Sequence, residues 1–255
     1  MKTEKHLLIS QSLIKDVLPQ SACPKQIGHK YIEGQRTPPS ELMLRGQYFE
    51  HHLIGATRGG EVPELTKLKK GGKSQAEKDL EELITYARII LDAMKLDVSK
   101  GESQVEIQVD GLEGHIDHIN TDIQNPARKA IYDVKYTETK YDDRWNGWAD
   151  FESLTDAKIQ AAQYVKLYHA MHGQYIPYYF LIFGKSFWCR IIKVVVTAAG
   201  MAIHNNRIDI TKERMMQWNE EGWPAKPEFY KCLKCHFSDK CKFVATIPDI
   251  ETYQI

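Results

Sequence analysis

From Gln75 to about Asp97 the apolar residues Leu80, Leu83, Ile84, Ala87, Ile90, Leu91 and Met94 recur at spacings of three and four, the period of a helix with one buried stripe. The pattern then shortens. Runs at 103–109, 112–120 and 129–136 read as strands, with Gly111 at the turn between the first two. Glu152 to His172 returns to helical spacing, with Ile159, Ala162, Val165, Leu167 and Ala170 on the apolar side and Gly173 as the stop. Two more apolar strands follow, Ile176 to Phe183 and Phe187 to Val196, joined by Gly184-Lys185, and residues 198–221 read as a last helix.

Upstream, 10–18 has the composition of a short helix ending before Pro19. After a loop with Pro38-Pro39, Ser40 can cap a helix running through Leu42, Phe49 and Ile54 to the glycines at 59 and 60. No repeat or low-complexity tract interrupts this order. Helices, three strands, a helix, two strands and a helix predict an α/β sheet flanked by helices.

Composition narrows the class. A chain of 255 residues with 42% apolar and 27% charged residues can bury a real core. No apolar run reaches the roughly 18 residues a membrane span needs. The first residues, Met1 to His6, lack a signal-peptide apolar core, so the expected compartment is the cytoplasm. Net charge is zero, so a nucleic-acid partner must be argued from local groups.

The polar residues of the strands carry the chemistry. Gly114-His115-Ile116-Asp117 and Asp133-Val134-Lys135 place two carboxylates at the ends of neighbouring strands. Asp133 and Lys135, two apart, share a face of the sheet. Paired acids of this kind bind a hard divalent cation through oxygen, and an ammonium beside them can position water or steady developing charge. That is equipment for cutting a phosphodiester. Gln160 and Tyr164, four apart on a helix, can reach one groove.

The five cysteines are unevenly placed: Cys23, Cys189, then Cys232, Cys235 and Cys241. The last three are close enough to share a metal, and Cys23 can supply a fourth thiolate if the chain ends meet. Four thiolates suit zinc or an iron–sulfur cluster. His236, adjacent to Cys235, is poorly placed to join it. Cys189 lies in an apolar strand and reads as a core thiol. Lys67, Lys69, Lys70 and Lys73 form a basic loop read as solvated, although it could meet phosphates. The stretch Asp142-Asp143-Arg144-Trp145-Asn146-Gly147-Trp148 could stack unpaired bases or cover the following helix, the reading favoured here.

In this order, with one early cysteine and three late ones, the motifs resemble the PD-(D/E)XK nuclease superfamily. The similarity is to its RecB-like branch with an iron–sulfur cluster, such as CRISPR-adaptation (Cas-four type) nucleases and the AddB and Dna-two nuclease domains. It runs from Ser10 to Cys241. The resemblance implies a restriction-endonuclease-like mixed sheet flanked by helices, with the N- and C-terminal segments joined by a cysteine metal site. It implies one nuclease domain over 1–255: a mostly helical part to 100, a catalytic sheet and Gln-x-x-x-Tyr helix over 101–196, and a cysteine segment over 197–255.

Carried onto this chain, Asp117 and Asp133 would hold Mg2+ or Mn2+ with the Val134 carbonyl as a third oxygen. Lys135 would orient or activate water, and Gln160 and Tyr164 would contact DNA. Where relatives place a histidine after Gly-x-x-x, Glu50 stands here, with His51 displaced by one. Glu50 is the expected third acidic ligand and His51 the fallback. Cys23, Cys232, Cys235 and Cys241 would hold a structural 4Fe–4S cluster, with zinc as the alternative. The implied activity is a metal-dependent exonuclease on single-stranded DNA or DNA ends, in recombination, repair, phage DNA processing or CRISPR spacer preparation, with recombination, replication or CRISPR proteins as partners. The competing function is a DNA-end-binding adaptor that keeps the fold without catalysis. The presence of Asp117, Asp133 and Lys135 together speaks against it.

Overall fold

Asp110 and Gly111 both adopt the left-handed conformation, with φ of 51° and 74°. Two such residues in succession make a tight reversal matched to strand twist, and they join β1 (Glu102–Val109) to β2 (Leu112–Asp122). The remaining strands are β3 (Asn125–Thr137), β4 (Tyr178–Gly184) and β5 (Trp188–Val194). They form one mixed sheet in sequence order, antiparallel except that β3 and β4 run parallel. A parallel pair needs a long crossover, here the segment that contains the helix over 155–172.

The computed structural model describes residues 8–56, 60–65, 73–141 and 147–241. Lys67, Lys69, Lys70, Asp142, Asp143, Arg144, Trp145 and Asn146, singled out above, lie outside the described residues. The helices are α1 (Gln11–Val17), α2 (Pro24–Ile27), α3 (Glu41–Ile54), α4 (Gln75–Ala93), α5 (Thr155–His172), α6 (Ala198–Glu220) and α7 (Phe229–Leu233). The α/β class and the helix-flanked sheet are therefore as the residue pattern predicts.

Several boundaries differ from expectation: β3 begins at Asn125 rather than 129, α5 at Thr155 rather than Glu152, and α3 and α4 end early. Ser40 does cap α3, its Oγ accepting from Met43 N at 3.2 Å. The helix ends at Gly55, however, rather than at 59. Gly55 takes φ 74° and its N–H bonds to His51 O at 2.9 Å, the left-handed closure that glycine allows at lowest cost. Likewise α4 stops at Ala93 rather than running to Asp97, with Lys95 left-handed just beyond it.

The chain divides into two compact units. The first comprises residues up to Gln11 together with Pro39–His204. On one face of its sheet, Ala130, Tyr132 and Val134 of β3 and Tyr179, Leu181 and Phe183 of β4 share a core with Phe49 and Leu53 of α3 and Leu80, Leu83 and Ala87 of α4. Each such fully buried large apolar side chain contributes about 1.5–3 kcal/mol. Cys189 of β5 packs at this core's margin, and burial pushes its thiol up to about 11.

Helix α5 is buried well beyond its predicted stripe. Ala161, Gln163, Tyr164 and Tyr168 join Ile159, Ala162, Val165 and Leu167 in the interior, while Ala170 is exposed. The buried Gln163 is satisfied: Nε2 donates to Ile9 O at 3.0 Å, and Oε1 lies 2.8 Å from His204 Nε2.

The second unit comprises Ser12–Pro38 and the chain from Asn205 onward. Arg214 donates to the carbonyls of Val17 and Leu18 at 2.8 and 2.7 Å. Lys25 N bonds to Pro224 O at 3.2 Å, and Lys231 Nζ donates to Ser21 O at 3.1 Å. Early and late segments thus meet here, the condition under which Cys23 can approach the C-terminal cysteines. No helix among the described residues is long and apolar enough to cross a membrane.

Candidate active site

Antiparallel pairing between β2 and β3 stops at the rung His118↔Tyr132. The next residues in that register are Asp117 and Asp133. They sit inside their strands, not at the strand ends; it is the pairing that ends there. The Val134 N–H, freed from the ladder, donates instead to Asp117 Oδ2 at 3.2 Å. A carboxylate has replaced a backbone carbonyl as the partner, which opens the sheet at this point and keeps the N–H satisfied.

Asp133 is 1% exposed and its two oxygens face different partners. Gln160 Nε2, from α5, donates to Oδ1 at 2.7 Å, and Lys135 Nζ stands 2.5 Å from Oδ2. The period-two argument for Asp133 and Lys135 thus ends in a direct ion pair. Tyr164, one helical turn beyond Gln160 and 6% exposed, has its ring 6.2 Å from that of the buried Tyr178. Burial, followed by the Asp133 charge, pushes the Tyr178 hydroxyl well above its ordinary pKa.

Glu50 enters from α3. Its Oε1 accepts from Gln104 Nε2 of β1 at 2.5 Å. Burial drives the Glu50 pKa up to about 7, against the opposing effects of the Gln104 bond and the Lys135 charge, with Asp133 adding to the rise. Asp117 is likewise raised well above the usual carboxylate range, by burial first and then by the charges of Asp133 and Glu50. Burial would depress the Lys135 ammonium, but Asp133 and Asp117 outweigh it and hold the pKa above normal. Three carboxylates and one ammonium therefore feel one another's charge. The ring of His51 stands edge-on to that of His52, 5.4 Å between centroids.

The donor chemistry suits a hard divalent cation. Two carboxyl groups raised by burial and mutual repulsion, with a single ammonium to offset three acids, mark an under-neutralised site. Among the described residues, no three His, Cys, Asp or Glu side chains are gathered closely enough to hold a metal ion as they stand.

The four cysteines of the second unit share a neighbourhood. Burial raises the Cys235 thiol, and Cys23, Cys232 and Cys241 each push it further in the same direction. Lys226 N lies 3.5 Å from Cys23 Sγ. The thiols are close enough to interact but do not form a ligand set.

Residue patterns pointed to Asp117, Asp133, Lys135, Gln160, Tyr164 and Glu50, and the structure brings these together. They gave no sign of Gln104 or Tyr178. Gln104 carries no motif, and Tyr178 reads as one more aromatic in an apolar strand.

An acidic cluster with a lysine, built where a mixed sheet opens beside a buried crossover helix, defines a nuclease-like α/β protein. The chain belongs to the family described as "PDDEXK-like domain of unknown function (DUF3799)", whose model matches residues 10–239. Its fold is similar to that of a crystal structure from Eubacterium rectale described as a "Putative exonuclease". That likeness covers 98% of this chain and 91% of the other, at 19% identity and a TM-score of 0.64. A second solved structure, SSO0001, aligns over 95% of this chain and 88% of its own at 14% identity, with a TM-score of 0.42. No curated protein sequence matches.

Proposed function

We propose that this protein is a divalent-metal-dependent deoxyribonuclease that trims single-stranded DNA or DNA ends. The observation that carries this reading is the convergence of Glu50, Asp117, Asp133 and Lys135 at the point where β2 and β3 part: Asp117 accepts from the freed Val134 N–H, Asp133 pairs with Lys135, and burial with the neighbouring charges raises Glu50 and Asp117. Glu50, Asp117 and Asp133, with the Val134 carbonyl, would hold Mg2+ or Mn2+, both suited to oxygen donors. When bound, the cation would supply an activated water and offset charge on the attacked phosphate.

The protein's own groups then divide the work. The Lys135 pKa lies above normal, so this residue is a cation at neutral pH. It steadies negative charge rather than abstracting a proton. Gln160 holds Asp133 by one oxygen and leaves the other to the ammonium, an interaction a cation on Oδ2 would replace. Gln160 and Tyr164 border the place a scissile phosphate would occupy, which keeps for them the role of contacting DNA. Gln160 can keep its bond to Asp133 and still offer its second N–H and its Oε1 to DNA.

The finer placement in the iron–sulfur RecB-like branch rests on Cys23, Cys232, Cys235 and Cys241 lying near one another. A structural 4Fe–4S cluster would tie the early loop to the C-terminal segment, with zinc as the alternative. A brown preparation that bleaches on oxidation distinguishes the first from the second. Work in recombination, repair, phage DNA processing or CRISPR spacer preparation fits an end-trimming nuclease.

The deciding experiment incubates the purified protein with end-labelled single-stranded DNA and Mn2+, with and without EDTA. Metal-dependent loss of label supports the reading. Binding of DNA ends with no cleavage in any divalent cation would leave the adaptor role in its place.

A further inference from the structure

Among the described residues, Gln104 alone combines a side chain, a position inside a strand and a left-handed backbone, with φ 55°. That conformation is uncommon for a residue bearing a Cβ and persists where its surroundings impose it. The imposition is visible in the ladder. Ser103 pairs with His118 and Val105 pairs with Ile116, while Gln104 and Asp117 stand between these rungs without pairing. The irregularities on the two flanks of β2 coincide at Asp117: the β1 ladder skips it and the β3 ladder stops beside it.

The turned backbone aims the amide of Gln104 at the acidic group. Nε2 donates to Glu50 Oε1 at 2.5 Å, and Oε1 is buried with no hydrogen-bond partner among the described residues. Ionised Glu50, the form that would bind a cation, fixes which end of the amide faces it, since only the NH2 can donate to a carboxylate. The remaining carbonyl oxygen is therefore an acceptor held beside Glu50, and a buried acceptor left unsatisfied is costly. Strain at the backbone and an unmet acceptor on the same side chain mark a residue placed for function, not for the stability of the metal-free fold.

We propose that Gln104 is a positioning residue of the cation site: its NH2 fixes the orientation of Glu50, and its carbonyl oxygen accepts from a water carried by the bound cation. This deepens the metal-dependent nuclease reading and rests on it. Partners that orient a metal-binding carboxylate typically change metal affinity by about 10–100-fold.

The test measures Mn2+ binding to the full chain by calorimetry in the absence of DNA, alongside melting in EDTA. The variants are Gln104→Leu, Gln104→Gly and Glu50→Gln. Gln104→Gly is the decisive one, because glycine accepts the left-handed backbone freely while deleting the amide. If the leucine variant fails to fold, the glycine variant still reports. The expected result is a metal-free melting temperature at or above that of the parent, with Mn2+ bound about 10–100-fold more weakly. Turnover should recover as Mn2+ is raised, since the cation is lost and not the chemistry. Parental Mn2+ affinity in Gln104→Gly, with weakened binding in Glu50→Gln, would overturn the role of Gln104 and leave the nuclease reading standing. A fall in metal-free stability with parental affinity would likewise reduce Gln104 to a structural residue. A parent that neither binds Mn2+ nor cleaves DNA would overturn both.

Discussion

Gly114 packs directly beneath Leu167: a Cβ built on it would stand 2.4 Å from Leu167 Cδ1, and 3.0 Å from Tyr164 Cε1. The first residue of Gly-x-x-Asp is thus a contact surface for α5, not a turn. Because Tyr164 stands one helical turn from Gln160, the same contact sets how far α5 sits from Asp133.

Gly114→Ala should therefore lower stability by about 1–3 kcal/mol, the usual cost of overpacking an interior contact. Chemical denaturation measures this directly. Adding Leu167→Ala removes the atom nearest the new methyl, so the double variant should lose less than the sum of the two single losses. Strict additivity in that cycle would show that the helix simply shifts away.

Asp133 and Lys135 should separate cation binding from chemistry. Lys135→Ala removes the ammonium that competes for Asp133 Oδ2 at 2.5 Å, so Mn2+ should bind as tightly as in the parent or more so. Cleavage of single-stranded DNA should nevertheless fall by about 10²–10³, the loss typical of one charge-stabilising group. Asp133→Asn should lose both properties. Single-turnover cleavage at saturating Mn2+, set beside calorimetric binding, tests the split. Weakened Mn2+ binding in Lys135→Ala would contradict it.

Much of this site was legible because strand and helix periods are simple. Asp-x-Lys on one strand and Gln-x-x-x-Tyr on one helix each put two polar groups on one side, whatever the rest of the fold does. The strand runs themselves were readable from apolar content. What stayed hidden depends on backbone departures from those periods. Gln104 reaches Glu50 from a left-handed backbone, with φ 55°, and no spacing rule announces a left-handed residue in a strand. The end of α3 at Gly55 was missed for a related reason: a single left-handed glycine closed the helix before the pair that looked like the stop. The burial of the polar residues His118, Asp122 and Gln163 follows from no spacing rule, since it depends in part on partners such as Ser103, Tyr179 and His204 from other segments.

His118 is 1% exposed, with Nδ1 2.9 Å from Ser103 Oγ and Nε2 3.2 Å from Asn120 Nδ2. Burial lowers its pKa to about 4, against some support from the Lys100 carbonyl. The unfolded chain, with histidine near 6.5, binds this proton first, so His118 supports the fold above pH 6.5 and withdraws that support as pH falls toward 4. Glu50 has the opposite sign. Its folded pKa of about 7 exceeds the unfolded value of 4.5, so its contribution is complete below pH 4.5 and is lost as pH rises through 7. Each effect is on the order of 3–4 kcal/mol at most, one pKa unit being about 1.4 kcal/mol.

The two windows overlap and their slopes oppose, so each substitution should unmask the other group. In EDTA, His118→Gln should lose its stability advantage over the parent as pH rises from 4 to 6.5. Over the range 4.5 to 7, Glu50→Gln should move from less stable to more stable relative to the parent. Melting temperatures of the three proteins across that range measure both differences. Mn2+ sharpens the test: a cation bound to ionised Glu50 should stabilise the parent more at pH 8 than at pH 5, and Glu50→Gln should largely lose that increment. Equal stabilisation by Mn2+ at both values in parent and variant would show that Glu50 is not among the groups that bind it.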